Sequence, residues 1–169
     1  MIRRFRAAQP WLTTAARLFL AYIWFDAGWP KLVDSAGTVR SVRAFQILPE
    51  TLVPAFGYAL PVVELALGVL LLVGLFTRWS ALATGALMLV FMGGIISVWA
   101  RGLSIECGCF GNVGGVVADP VPGYVRDLLR DTGFLLAALF IAWWPRGVVD
   151  VDRWLGLSPS ASAPATGEA

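Results

Sequence analysis

Residues 80–100 read SALATGALMLVFMGGIISVWA, a run without a single charge. As a helix rising ~1.5 Å per residue it spans the ~30 Å hydrocarbon core of a bilayer. The rest of the chain is placed around it. On its N-terminal side lies residues 55–76, a second apolar run broken only by Glu64. The link between them, Thr77-Arg78-Trp79, is so short that the two helices must be antiparallel neighbours.

Further upstream, residues 11–32 form another apolar run, preceded by Arg3, Arg4 and Arg6. Arg17 interrupts it and no Ala-x-Ala cleavage pattern follows, so it reads as a retained membrane helix rather than a secretory signal. Residues 33–54 are polar, with room for a short interfacial helix near 39–47. Downstream, residues 101–123 are rich in Gly and Pro and form a loop. Residues 134–144 are apolar but too short to span. A fourth helix must start near Tyr124, which brings Arg126, Asp127, Arg130 and Asp131 into its first two turns. Asp127 and Arg130 are spaced to pair on one face. The cluster reads as interfacial, its long side chains snorkelling to the membrane surface, with burial in the bundle the alternative.

The sequence thus predicts an all-α, integral membrane four-helix bundle with helices at 11–32, 55–76, 80–100 and 124–144. One domain covers residues 1–157, and a Ser/Ala/Pro-rich disordered tail covers 158–169.

Composition agrees. The chain of 169 residues is 58% hydrophobic and 14% charged, against about 25% charged for a soluble domain. Its net charge is +2 and its basic residues are scattered, so nothing points to nucleic acid. Histidine is absent, which removes the usual general base and the commonest metal ligand. Most of the eight tryptophans sit near the ends of apolar runs, as an aromatic belt requires. Lys and Arg are divided evenly between the two faces. The Arg3, Arg4, Arg6 cluster and the acidic residues of the other face lean one way: both termini in the cytoplasm of a multi-pass protein of the cell membrane, both long loops outside.

The chemistry concentrates in Glu106-Cys107-Gly108-Cys109-Phe110-Gly111, which holds the only two cysteines. An outside loop meets an oxidising compartment, where a disulfide persists. A one-residue spacer allows bridging only with strain, and strain makes a disulfide easier to reduce. Gly108 relieves part of it. Cys107 and Cys109 therefore read as a reversible redox pair, weighed against two inert thiols or a passive staple. Structural zinc needs four ligands and is disfavoured. Copper(I) is the metal alternative, through Cys107, Cys109, Met88 and Met92, with core filling the plainer role for the two methionines.

Ionisable groups inside a membrane span are functional candidates. Asp26 and Lys31 lie near the outer end of helix one, and Glu64 lies deep in helix two. They serve either proton transfer beside thiol or quinone chemistry, or structure, as a Lys31–Glu64 or Arg17–carboxylate bridge. Gly57, Pro61, Glu64 and Gly68 share one helical face, which turns Glu64 toward the bundle.

These residues carry a resemblance. Gly28-Trp29-Pro30-Lys31-Leu32, Ile47-Leu48-Pro49, Leu60-Pro61-Val62-Val63-Glu64-Leu65 with Gly68, the Cys107-Gly108-Cys109-Phe110-Gly111 element and Arg130-Asp131 resemble the MauE branch of the DoxX-like four-helix membrane proteins. Asp26 is not part of that pattern. The resemblance implies a role beside a thioredoxin-like partner in maturing a disulfide-rich extracytoplasmic protein, as in methylamine utilisation. Its DoxX-like side implies electron transfer to a quinone. The expected function is thus a membrane thiol–disulfide or electron-transfer protein. The alternatives are copper handling or a non-catalytic subunit of a membrane complex.

Overall fold

The computed structural model describes residues 2–105, 118–148 and 151. Among the described residues there are five helices: α1 (Ile2–Val33), α2 (Ser35–Ala44), α3 (Val53–Val73), α4 (Thr77–Ala100) and α5 (Val121–Trp143). Strands are absent from the described residues. The segment carrying Cys107, Gly108, Cys109, Phe110 and Gly111 lies outside them, as does the tail expected at 158–169.

The four long helices match the four apolar runs, and α2 matches the short helix expected between the first two. The boundaries differ for local reasons. α1 begins at Ile2, well before Trp11. α3 stops at Val73 because Gly74 adopts a left-handed φ of 75°, and its amide donates to Leu70 O at 2.9 Å. That is the usual glycine stop of a helix. A side chain at position 74 would also strike the guanidinium of Arg17. α5 begins at Val121, with a proline in its first turn, where the missing N–H costs nothing.

The long helices touch in a closed order, α1 to α3, α3 to α4, α4 to α5, and α5 back to α1. Registers show alternating directions. Along α1 and α3, Gly28 faces Glu64 and Leu65, Gly68 faces Ala21 and Trp24, and Gly74 faces Arg17. Along α1 and α5, Thr13 donates to Trp144 O at 2.9 Å and the Phe19 and Phe134 rings meet at 5.8 Å. α2 lies across α3. Gly57 permits that approach, since a Cβ there would come within 2.9 Å of the Val39 Cα.

The main core joins Leu20, Trp24, Leu67, Leu71, Met88, Phe134 and Ala138 from all four long helices. A smaller core at one end holds Ile95, Val98, Ile105 and Tyr124. Outside, each long helix shows apolar residues: Leu18 and Tyr22, Val62 and Val69, Leu89 and Val90, Leu129 and Leu136 are all exposed. So extensive an apolar exterior needs lipid or a partner to cover it. α3 and α4 are long and apolar enough to cross a membrane. α1 and α5 carry more charge, and much of that charge points inward.

The smaller core holds Ile105, where the cysteine segment begins, and Tyr124, in the first turn of the helix that follows it. The Tyr124 hydroxyl lies 2.7 Å from Leu103 O and 2.9 Å from Ile105 O. It also accepts the Ile105 N–H at 3.1 Å. One phenol thus ties the chain entering the segment to the helix leaving it. Tyr124→Phe would leave the buried Ile105 amide without this acceptor, a loss of about 1–3 kcal/mol. Hydrogen exchange should show the Ile105 amide losing protection while amides of the main core keep theirs.

Candidate functional site

The inward stripe of α1 runs through Thr13, Arg17, Leu20, Ala21, Trp24, Ala27, Gly28 and Lys31, at alternating helical spacings of three and four. It ends on a lysine that is only 5% exposed. α3 offers Glu64, fully buried, from the face it shares with Gly57, Pro61 and Gly68. Gly28 makes the meeting possible, because a Cβ there would press on Glu64 and Leu65 at 3.0–3.2 Å. Lys31 Nζ donates to Glu64 Oε1 at 2.5 Å. The ammonium also lies 5.4 Å from the centre of the Phe91 ring on α4, in cation–π contact. Glu64 Oε2 is buried and has no hydrogen-bond partner among the described residues.

A second polar group stands on α5. Arg130 Nη1 donates to Asp127 Oδ1 at 3.0 Å, and Nη2 donates to Asp131 Oδ1 at 2.9 Å. Asp131 Oδ2 is buried without a hydrogen-bond partner among the described residues. Asp131 lies within electrostatic reach of Lys31. Three helices therefore bring two cations and three carboxylates toward one interior. Part of the cluster expected at the interface is turned inward: Asp127 and Asp131 are both buried and Arg130 is partly so, while Arg126 stays exposed. The reason is spacing. Asp127, Asp131, Phe134, Ala138 and Ile141 form one buried stripe, so burying the apolar half of α5 draws the carboxylates in with it.

Of the residues singled out in sequence, Lys31 and Glu64 come together. Asp26 does not join them, being on the exposed side of α1, two positions from Trp24. Met88 packs into the main core, and Met92 is half-buried one turn further along α4. Cys107 and Cys109, with Gly108, Phe110 and Gly111, lie outside the described residues. The Lys31–Glu64 bridge weighed as the structural role is present. Arg17, buried, lies instead against Gly74 at the end of α3. In the sequence Asp131 stands out only through the charge cluster and the family pattern, and Tyr124 only as a helix start. The spacing of Asp131 with Phe134 and Ala138 is the signal that places it inside. For Tyr124, only the tertiary fold brings its hydroxyl to Ile105.

Comparison with known proteins gives one consistent result. The family model for the methylamine utilisation protein MauE matches residues 9–144. The methylamine utilization protein MauE of Methylorubrum extorquens is 34% identical over 142 residues, 80% of this chain and 71% of that protein. The protein of the same name from Paracoccus denitrificans is 37% identical over 105 residues, 62% of this chain. That alignment covers 56% of the Paracoccus protein, so the chain spans little more than half of it. No solved structure matches.

Proposed function

This chain belongs to the family of the methylamine utilisation protein MauE, and from that membership we propose that it is a membrane-embedded thiol–disulfide protein serving extracytoplasmic protein maturation. Its relatives' name supports an accessory role of this kind, in methylamine utilisation or in a related thiol pathway. The apolar exterior and the two span-length helices support a multi-pass arrangement in the cell membrane, and the Arg3, Arg4, Arg6 cluster supports termini in the cytoplasm. Its DoxX-like resemblance supports a link to quinone electron transfer.

The observation that carries the reading is one of placement. Both cysteines belong to the segment between Ile105 and Ala118, and its flanks are tied by Tyr124 at one end of the fold. The buried Lys31–Glu64 pair reaches Phe91, one helical turn from Ile95 in the core that holds Tyr124. A charged pair buried at the root of a dithiol segment suits proton movement beside thiol chemistry. In this reading Cys107 and Cys109 cycle between dithiol and disulfide, and Gly108, Phe110 and Gly111 shape their loop. A thioredoxin-like protein exchanges disulfides with them, or a quinone takes their electrons.

The test is chemical labelling in intact cells. After mild reduction, a membrane-impermeant maleimide should label Cys107 or Cys109 without lysis. In a Cys109→Ser protein, Cys107 should accumulate a mixed disulfide with an extracytoplasmic thioredoxin-like protein. Labelling only after lysis would reverse the topology. Absence of any mixed disulfide, together with full activity of the variant, would remove the redox role.

A further inference from the structure

The buried pair does not fill the space at its end of the fold. A cavity of about 230 Å³ adjoins it, lined from α1, α2, α3, α4 and the α2–α3 link. Its walls are largely apolar and partly aromatic, with Phe45, Phe56 and Phe91 among them, and Lys31 is the one charged residue among the described residues that line it. The Thr38 hydroxyl also lines it, but it is engaged with the carbonyl oxygens of Lys31 and Asp34 at 3.0 and 3.1 Å. Lys31 has three N–H donors and gives one to Glu64. The cavity therefore holds a buried charged donor in a largely apolar slot.

The charge of that donor is already matched by Glu64. An anionic ligand would bring a further negative charge beside a cation already paired with Glu64, which is costly. A neutral ligand that accepts a hydrogen bond suits it better. Three phenylalanine rings favour a flat occupant, since aromatic faces stack. The rim decides how the ligand arrives. Ile47, Phe56 and Val90 line the cavity and are also 53%, 53% and 67% exposed. They belong to the apolar exterior, so the opening faces the phase that covers that exterior. Neutral, flat, carbonyl-bearing and lipid-soluble together describe a quinone ring.

We infer that this cavity binds the ring of a lipid-soluble quinone, with Lys31 donating to a ring carbonyl and the ligand's tail leaving past Val90. The inference rests on the thiol–disulfide reading for its chemistry alone. The dithiol of Cys107 and Cys109 gives up two electrons and two protons and becomes the disulfide. The quinone takes both and becomes the quinol.

Binding is tested on the full chain in lipid nanodiscs by calorimetric titration with dimethylnaphthoquinone, whose blocked ring does not add thiols. Saturable binding is expected. Dimethylnaphthalene, the same shape without carbonyls, should bind about tenfold or more weakly, as the loss of a hydrogen bond from a charged donor requires. Val42→Trp on α2 and Gly94→Leu on α4 fill the cavity from two sides, because both residues line it. Each should weaken quinone binding by about tenfold or more, with an unchanged melting temperature showing that the variant is folded. Equal binding of the hydrocarbon would reduce the site to a lipid pocket. Unchanged quinone affinity in both folded variants would place any binding elsewhere and overturn the inference. The double variant Cys107→Ser, Cys109→Ser should bind as the unaltered protein does. Binding that persists while the dithiol forms no quinol would sink the redox reading and leave the site standing.

Discussion

Lys31→Met should unfold the protein far more readily than the double change Lys31→Met, Glu64→Leu. Lys31 is 5% exposed and Glu64 fully buried, and their contact is 2.5 Å. Removing the lysine alone leaves a carboxylate in an apolar interior with neither oxygen paired among the described residues, since Oε2 already has no partner there. Breaking one side of such a pair costs about 3–5 kcal/mol. Replacing both partners with apolar groups of similar size is often neutral or stabilising. The double variant should therefore recover most of what the single variant loses. Thermal unfolding in detergent, followed through the eight tryptophans, reads both changes. A pair kept for stability alone would leave dithiol turnover intact in the double variant. A pair that moves protons would leave a folded protein with little turnover. Equal damage from the single and double changes would show that Lys31 stabilises through Phe91 rather than through Glu64.

The legibility of this site differs from residue to residue. Glu64 could be turned inward from sequence because Gly57, Pro61 and Gly68 mark its face as the side of close approach, and all four are buried. The same reasoning, applied to α1, separates Lys31 from Asp26. Arg17, Trp24 and Lys31 stand seven apart on one stripe, while Asp26 falls on the opposite side. Composition alone treated both as intramembrane charges. Asp131 was obscured by a stronger pattern, the dense charge of Arg126, Asp127, Arg130 and Asp131, which looks like a helix end in the headgroup layer. Its spacing to Phe134 and Ala138 governs instead, because α5 must bury that stripe against α4. The cavity was invisible to the sequence. It arises from how α2 lies on α3, and α2 is too short for its periodicity to fix a partner.

Replacing Cys107 and Cys109 by serine should abolish electron transfer and partner trapping while hardly changing the melting temperature. A disulfide stabilises in proportion to the loop it closes, and a ring across Gly108 is nearly the shortest available. The fold has independent means of holding that end of the chain. Tyr124 fixes Ile105, Arg101 donates to Phe45 O and Gln46 O, and Ile95, Val98, Ile105 and Tyr124 form a core of their own. Reduction should therefore cost the bundle well under the ~2–4 kcal/mol typical of a long-loop disulfide. A disulfide across a one-residue spacer would be strained, and strain raises a reduction potential above that of relaxed structural disulfides, so mild thiols should open it without unfolding. Paired melts of oxidised, reduced and serine-substituted protein, with thiol titration under graded redox buffers, measure both quantities. A large loss of stability on substitution, with partner chemistry unchanged, would make the cysteines a staple. Buried Lys31 and Glu64 would then be left to account for any electron transfer without a dithiol, which neither an ammonium nor a carboxylate can supply.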